Sequence, residues 1–107
     1  MYRTIEGPID MTETYFFIYI LKCSDHSYYI GNTNDLEIRL DQHYKGSCGS
    51  YTSTRLPVVL VYQQQFPSRT EAVQMEQRLK GWTRAKKEAL IGGRFDELIA
   101  LSKKRFR

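Results

Sequence analysis

Residues 15–43, YFFIYILKCSDHSYYIGNTNDLEIRLDQH, limit the fold more than any other stretch of the chain. Two aromatic and β-branched runs, 15–21 and 28–30, flank the polar segment Cys23-Ser24-Asp25-His26-Ser27, the pattern of a β-hairpin. Gly31 closes the second run. Asn34 or Asp35 then offers the short side-chain oxygen that satisfies the free amides at a helix start. Leu36, Leu40 and Tyr44 recur on one face of the helix that follows. A hairpin feeding a helix puts Tyr19 and Tyr29 on neighbouring strands and Arg39 and His43 one helical turn apart. Four chemically active side chains therefore start close together.

The remainder supplies one more strand and the covering helices. Residues 57–66, PVVLVYQQQF, predict a third strand, with proline at the first position, where its missing N–H is tolerated. Residues 45–56, KGSCGSYTSTRL, are rich in Gly, Ser and Thr and predict an exposed loop. Lys45 and Arg55 in it either touch phosphates or belong to a solvated connector. Ser68 and Glu71 have capping-box spacing, and Ala72, Met75, Leu79 and Trp82 then form a buried helical stripe. Glu76 falls on the flank of that stripe, where a carboxylate is partly desolvated and needs a cation or hydrogen bonds. Lys80, one turn on, is a candidate partner. Helix continues through 85–91, Gly92-Gly93 breaks it, and 95–101 forms a last helix with Phe95, Leu98 and Ile99 inward.

The expected architecture is a small α/β (α+β) domain with a three-stranded antiparallel sheet, 15–22, 27–33 and 57–66, flanked by helices. Leu36, Leu40, Met75, Leu79 and Trp82 are expected to pack against Ile18, Ile20, Val59 and Val61. Residues 1–14 read as a loose extension, with one edge strand at most, and 103–107 as a basic tail. At 107 residues there is room for one modest core.

Composition narrows the function classes. The net charge of +4 permits a polyanionic partner without demanding one. Arg78, Lys80, Arg84, Lys86 and Lys87 form a run without an acid, either a solvated face or a set of phosphate contacts. Cys23 and Cys48 lack metal-ligand spacing, which argues against structural zinc and for reduced thiols. With no secretory signal and no apolar run of spanning length, the expected location is the cytoplasm, without membrane contact.

Phe17-Ile18-Tyr19, Tyr29-Ile30-Gly31, Arg39, His43 and the later helical Glu76 resemble the GIY-YIG nuclease domain, in its small stand-alone branch. The resemblance covers residues 15–102. Phe17 stands where the nominal motif has its first glycine. The resemblance implies a divalent-metal-dependent endonuclease that hydrolyses phosphodiesters in DNA, by shape rather than sequence, with a role in DNA repair or recombination. Branched, damaged, nicked and single-stranded DNA all stay open as substrates, as does RNA.

In that framework the catalytic set is Tyr19, Tyr29, Arg39, His43 and Glu76. Glu76 is the expected ligand of one Mg²⁺ (or Mn²⁺), an ion that keeps most of its waters. Arg39 would fork onto phosphate oxygens, or otherwise pair with Asp35. Tyr19 would orient or deprotonate the attacking water, Tyr29 would position the phosphate or Tyr19, and His43 would accept a proton or contact phosphate. Core aromatics are the ordinary alternative for both tyrosines. Lys45, Arg55, Arg78, Lys80, Arg84, Lys86 and Lys87 are the expected nucleic-acid contacts. Two other functions fit the same residues: a non-catalytic nucleic-acid-binding module, or a nuclease subunit whose specificity comes from a protein partner. Oligomeric state is not legible.

Overall fold

The computed structural model describes residues 15–103; the expectations for 1–14 and for the end of the basic tail lie outside them. Strand β1 (Phe16–Lys22) is central and pairs antiparallel with β2 (Tyr28–Thr33) on one side and β3 (Val59–Phe66) on the other. Helices α1 (Leu36–Tyr44), α2 (Ser50–Ser53), α3 (Arg69–Lys80), α4 (Arg84–Ile91) and α5 (Phe95–Lys103) complete the chain. The fold is thus a three-stranded antiparallel sheet flanked by helices, as the sequence predicts.

Both faces of the sheet are covered, which explains why β1 is apolar almost without interruption. Ile18 and Ile20 point to one face and, with Ile30, pack against Ala72 and Leu79 of α3 and Leu90 of α4. Met75 and Trp82 close the edge of that cluster. Tyr19 and Leu21 point to the other face and join Cys23 and Val58, with Leu36 and Leu40 of α1 over them. Leu79 is fully buried; trimming such a leucine to alanine costs about 2–5 kcal/mol.

Helix ends follow side-chain chemistry. Asp35 caps α1 by accepting from the Ile38 amide at 3.1 Å, and Ser68 caps α3 by accepting from the Glu71 amide at 3.2 Å. Asp25 holds the hairpin turn through Ser27, and Asp41 pairs with Lys45 on the solvent side. Among the described residues, no helix is long and apolar enough to cross a membrane.

Five local expectations need correction. The loop over 45–56 contains the short helix α2, entered through Gly49 at φ 76°, a backbone state suited to glycine. Val59 is exposed and Val58 buried. Strand β3 starts at Val59, past the proline, and carries an extra residue where Ile20 pairs with Tyr62 but Leu21 with Leu60. That bulge breaks the alternation, so Val61 and Tyr62 both reach the α3-side cluster. Helix does not run on from α3, because Gly81 ends it and Thr83 caps α4 afresh. In α5, Leu98 faces the core but Phe95 and Ile99 are exposed, since the helix packs chiefly along α4 at the end of the molecule.

Candidate active site

The site begins with a close approach between strands. Tyr19 lies opposite Gly31 in the β1–β2 register, and its ring occupies the space a side chain there would need. A Cβ at Gly31 would stand 2.6 Å from the Tyr19 hydroxyl oxygen. Glycine is therefore required for packing, and it lets the phenol lie flat against β2. From there the hydroxyl meets His43 Nε2 at 2.9 Å, with the rings edge to face. Arg39, one turn earlier on α1, brings its guanidinium charge beside the same phenol. The Asp35 carboxylate caps α1 by accepting from the Ile38 amide. Tyr29 shares this face, its ring centroid 5.2 Å from that of His43 and 6.3 Å from that of Tyr19.

A residue that sequence reasoning missed continues the chain of hydrogen bonds. Thr52 Oγ1 lies 2.8 Å from His43 Nδ1 and donates its own proton to the Cys48 carbonyl at 3.2 Å. Tyr19, His43 and Thr52 are all essentially buried. Burial, followed by the positive charge of Arg39, holds the His43 pKa below the usual histidine value. Burial likewise pushes the Tyr19 phenol well up, against the opposing pull of Arg39. The resting state is a neutral phenol against a neutral imidazole. Tyr51, beside Thr52 on α2, packs its ring 5.9 Å from Tyr29 and donates to Ser27 Oγ.

Glu76 comes from α3, the helix on the other face of the sheet. Its side chain is only 12% exposed. One carboxylate oxygen accepts from the Asn32 side-chain amide, and the other pairs with Lys80 Nζ at 2.8 Å. Asn32 lies opposite Ile18 near the end of β2. There it lines a polar cleft of about 310 Å³ together with Arg39, Arg69, Phe16, Thr33 and Asn34. The catalytic set expected from the sequence thus forms two groups. Tyr19, Tyr29, Arg39 and His43 touch one another directly, whereas Glu76 reaches the same cleft through Asn32.

A family model described as the GIY-YIG catalytic domain matches residues 15–89. The chain belongs to the GIY-YIG family. Among its relatives, a UPF0213 protein of Bacillus pumilus is 48% identical over 75 residues, covering 70% of this chain and 76% of the relative. A UPF0213 protein of Staphylococcus aureus is 44% identical over 75 residues, 70% and 92% of the two chains. The solution NMR structure of the UPF0213 protein BH0048 from Bacillus halodurans superposes with a TM-score of 0.50 at 40% identity, covering 73% of this chain and 83% of that one. That of the protein EF2693 from E. faecalis gives 0.53 at 34% identity, over 76% and 88%.

The fit of a divalent ion to this GIY-YIG site rests on Glu76. Its carboxylate has one amide partner, Asn32, and one ammonium partner on the half-exposed Lys80. Among the described residues, no group of three or more His, Cys, Asp or Glu is placed to hold a metal. A single carboxylate suits a hard ion that keeps its waters, and it does not suit zinc.

The basic residues of this GIY-YIG chain divide by availability. Lys86 is largely buried, its Nζ 4.7 Å from the Trp82 ring centroid, and it lines a pocket with Trp82, Thr83 and Leu101. Arg55 pairs with Asp25 at 3.0 Å and stacks on Tyr51, fastening α2 to the hairpin. Arg84 pairs with Glu88 and lies over Tyr28, and Lys45 pairs with Asp41. Arg78 is exposed and Lys87 half-buried. Arg69 lines the cleft, and the sequence hid it in an N-cap segment.

Proposed function

We propose that the protein is a divalent-metal-dependent endonuclease that hydrolyses phosphodiester bonds in DNA, selects its substrate by structure, and serves DNA repair or recombination. The observation that carries this reading is the polar cleft where Arg39 and the Glu76–Asn32 pair meet. Arg39 grips two phosphate oxygens with its planar fork. Glu76 would hold the ion, with the Asn32 amide orienting the carboxylate; when bound, the ion would relieve charge on the phosphoryl oxygens. The Arg39 charge lies beside the Tyr19 phenol, so a phosphate gripped by Arg39 brings the attacking water toward the phenol oxygen. As the water oxygen bonds to phosphorus, its proton passes to Tyr19 and the Tyr19 proton to His43 Nε2. The ester P–O bond breaks, and the leaving oxygen takes a proton from solvent. A neutral His43 is the form that can accept.

One observation favours a second reading. Tyr19 is fully buried and both oxygens of Glu76 are engaged, as they would be in a nucleic-acid-binding module that does not cut. Labelled duplex, nicked, branched and single-stranded DNA, each incubated with Mg²⁺ or Mn²⁺ beside an EDTA control, separates the two. The enzyme reading expects metal-dependent products that Glu76→Ala abolishes, while metal-free DNA binding stays within a few-fold. Binding without cleavage in any arm would establish the module instead.

A further inference from the structure

We propose that Thr52 is a positioning residue that fixes the tautomer of His43, and with it the direction in which Tyr19 releases its proton. This deepens the nuclease reading and rests on it only for the kinetic consequence. Thr52 has a single hydroxyl proton, and the geometry assigns it to the Cys48 carbonyl. Toward His43 Nδ1, 2.8 Å away, the hydroxyl oxygen can then only accept. His43 must therefore carry its proton on Nδ1, and Nε2 presents a bare lone pair.

The other end of the chain is compatible with this arrangement. Tyr19 oxygen meets His43 Nε2 at 2.9 Å, with the Arg39 guanidinium beside the phenol. A guanidinium has only donors, so it leaves the phenol proton free to turn to Nε2. The acceptor-only carbonyl behind Thr52 is what sets the direction. The chain reads Tyr19 to His43, His43 to Thr52, Thr52 to the Cys48 carbonyl. After His43 takes the Tyr19 proton, both of its N–H groups still have acceptors, so the cation that forms needs no rearrangement of its neighbours. Nothing in a Ser/Thr-rich loop announces this role. It follows from Gly49 turning the chain into α2, which brings Thr52 back against α1.

The test is a long-range ¹H–¹⁵N correlation spectrum of the histidine rings in the full-length protein at neutral pH. The chain has two histidines; the exposed His26 is removed by His26→Gln so that only His43 signals remain. The expected spectrum shows His43 as a neutral ring protonated on Nδ1. Thr52→Val keeps the shape and removes the acceptor, and it should shift His43 toward the Nε2–H form, whereas Thr52→Ser should restore the parent spectrum. In cleavage assays Thr52→Val should lower kcat by about tenfold to a hundredfold, the range for partners that orient a functional histidine, with KM nearly unchanged. A parent spectrum of the Nε2–H tautomer overturns the proposal, as does a Thr52→Val spectrum identical to the parent. If Thr52→Val does not fold, the parent and Thr52→Ser spectra decide. If the protein cuts no DNA, the nuclease reading fails while the tautomer is still read directly.

Discussion

At the scale of single residues, the consequences of burial around His43 can be measured as stability. Its pKa is lowered in the fold, by burial first and Arg39 second, so the unfolded chain binds the proton more readily. The sign follows: this contribution is fully present above the unfolded value, about 6.5, and is lost as pH falls from there toward the folded value. Urea midpoints should therefore drop on acidification through that window, and His43→Gln should flatten the drop. An equal drop in the variant would place the acid sensitivity elsewhere. Gly31→Ala is a second residue-scale test, since its Cβ would sit 2.6 Å from the buried Tyr19 oxygen. Overpacking of this kind costs about 1–3 kcal/mol, and the ring displacement should also break the bond to His43, visible in the histidine ring shifts. Tyr19, Tyr29, Arg39, His43 and Glu76 were named through the family resemblance, and the structure brings the two tyrosines and His43 into contact. Asn32, Thr52 and Arg69 were not legible in the sequence, because each owes its place to a partner distant in sequence.

At the scale of elements, the hairpin, α1 and α3 were readable for a clear reason: hydrophobic period and cap chemistry act within a few residues and leave their mark locally. The parts misjudged are set by long-range pairing. The bulge in β3 exists only in the register with β1, so Val58 and Val59 look alike in sequence and end on opposite sides of the burial boundary. Val58→Ala should cost on the order of 2 kcal/mol, and Val59→Ala should stay within about 0.5 kcal/mol of the parent. Equal losses, measured by denaturant unfolding, would mean the strand starts in a different register. Helix α5 shows the same limit, because whether Phe95 and Ile99 face inward depends on what lies beyond α4 and not on their own spacing.

At the scale of the whole molecule, net charge and placement of charge give different forecasts for DNA. The net +4 says only that a polyanion is permitted, and the folded chain decides which cations can reach it. Arg55, Arg84 and Lys45 pair with acids, and Lys86 is largely buried beside Trp82. Arg39 and Arg69 line the cleft, and Arg78 is exposed on α3. If phosphates enter that cleft, log affinity on duplex should fall linearly with log salt, with a slope of about −0.9 for each phosphate neutralised. Arg69→Ala should then reduce the slope by about one unit while leaving stability close to the parent. Lys86→Ala should do the reverse, holding the slope and lowering stability, because it removes a packed stem and a cation–π contact. A slope that changes with Lys86 and not with Arg69 would move the DNA-binding face away from the cleft to the Trp82 side of the molecule. It would take with it the proposal that Arg39 and Glu76 act on one phosphate.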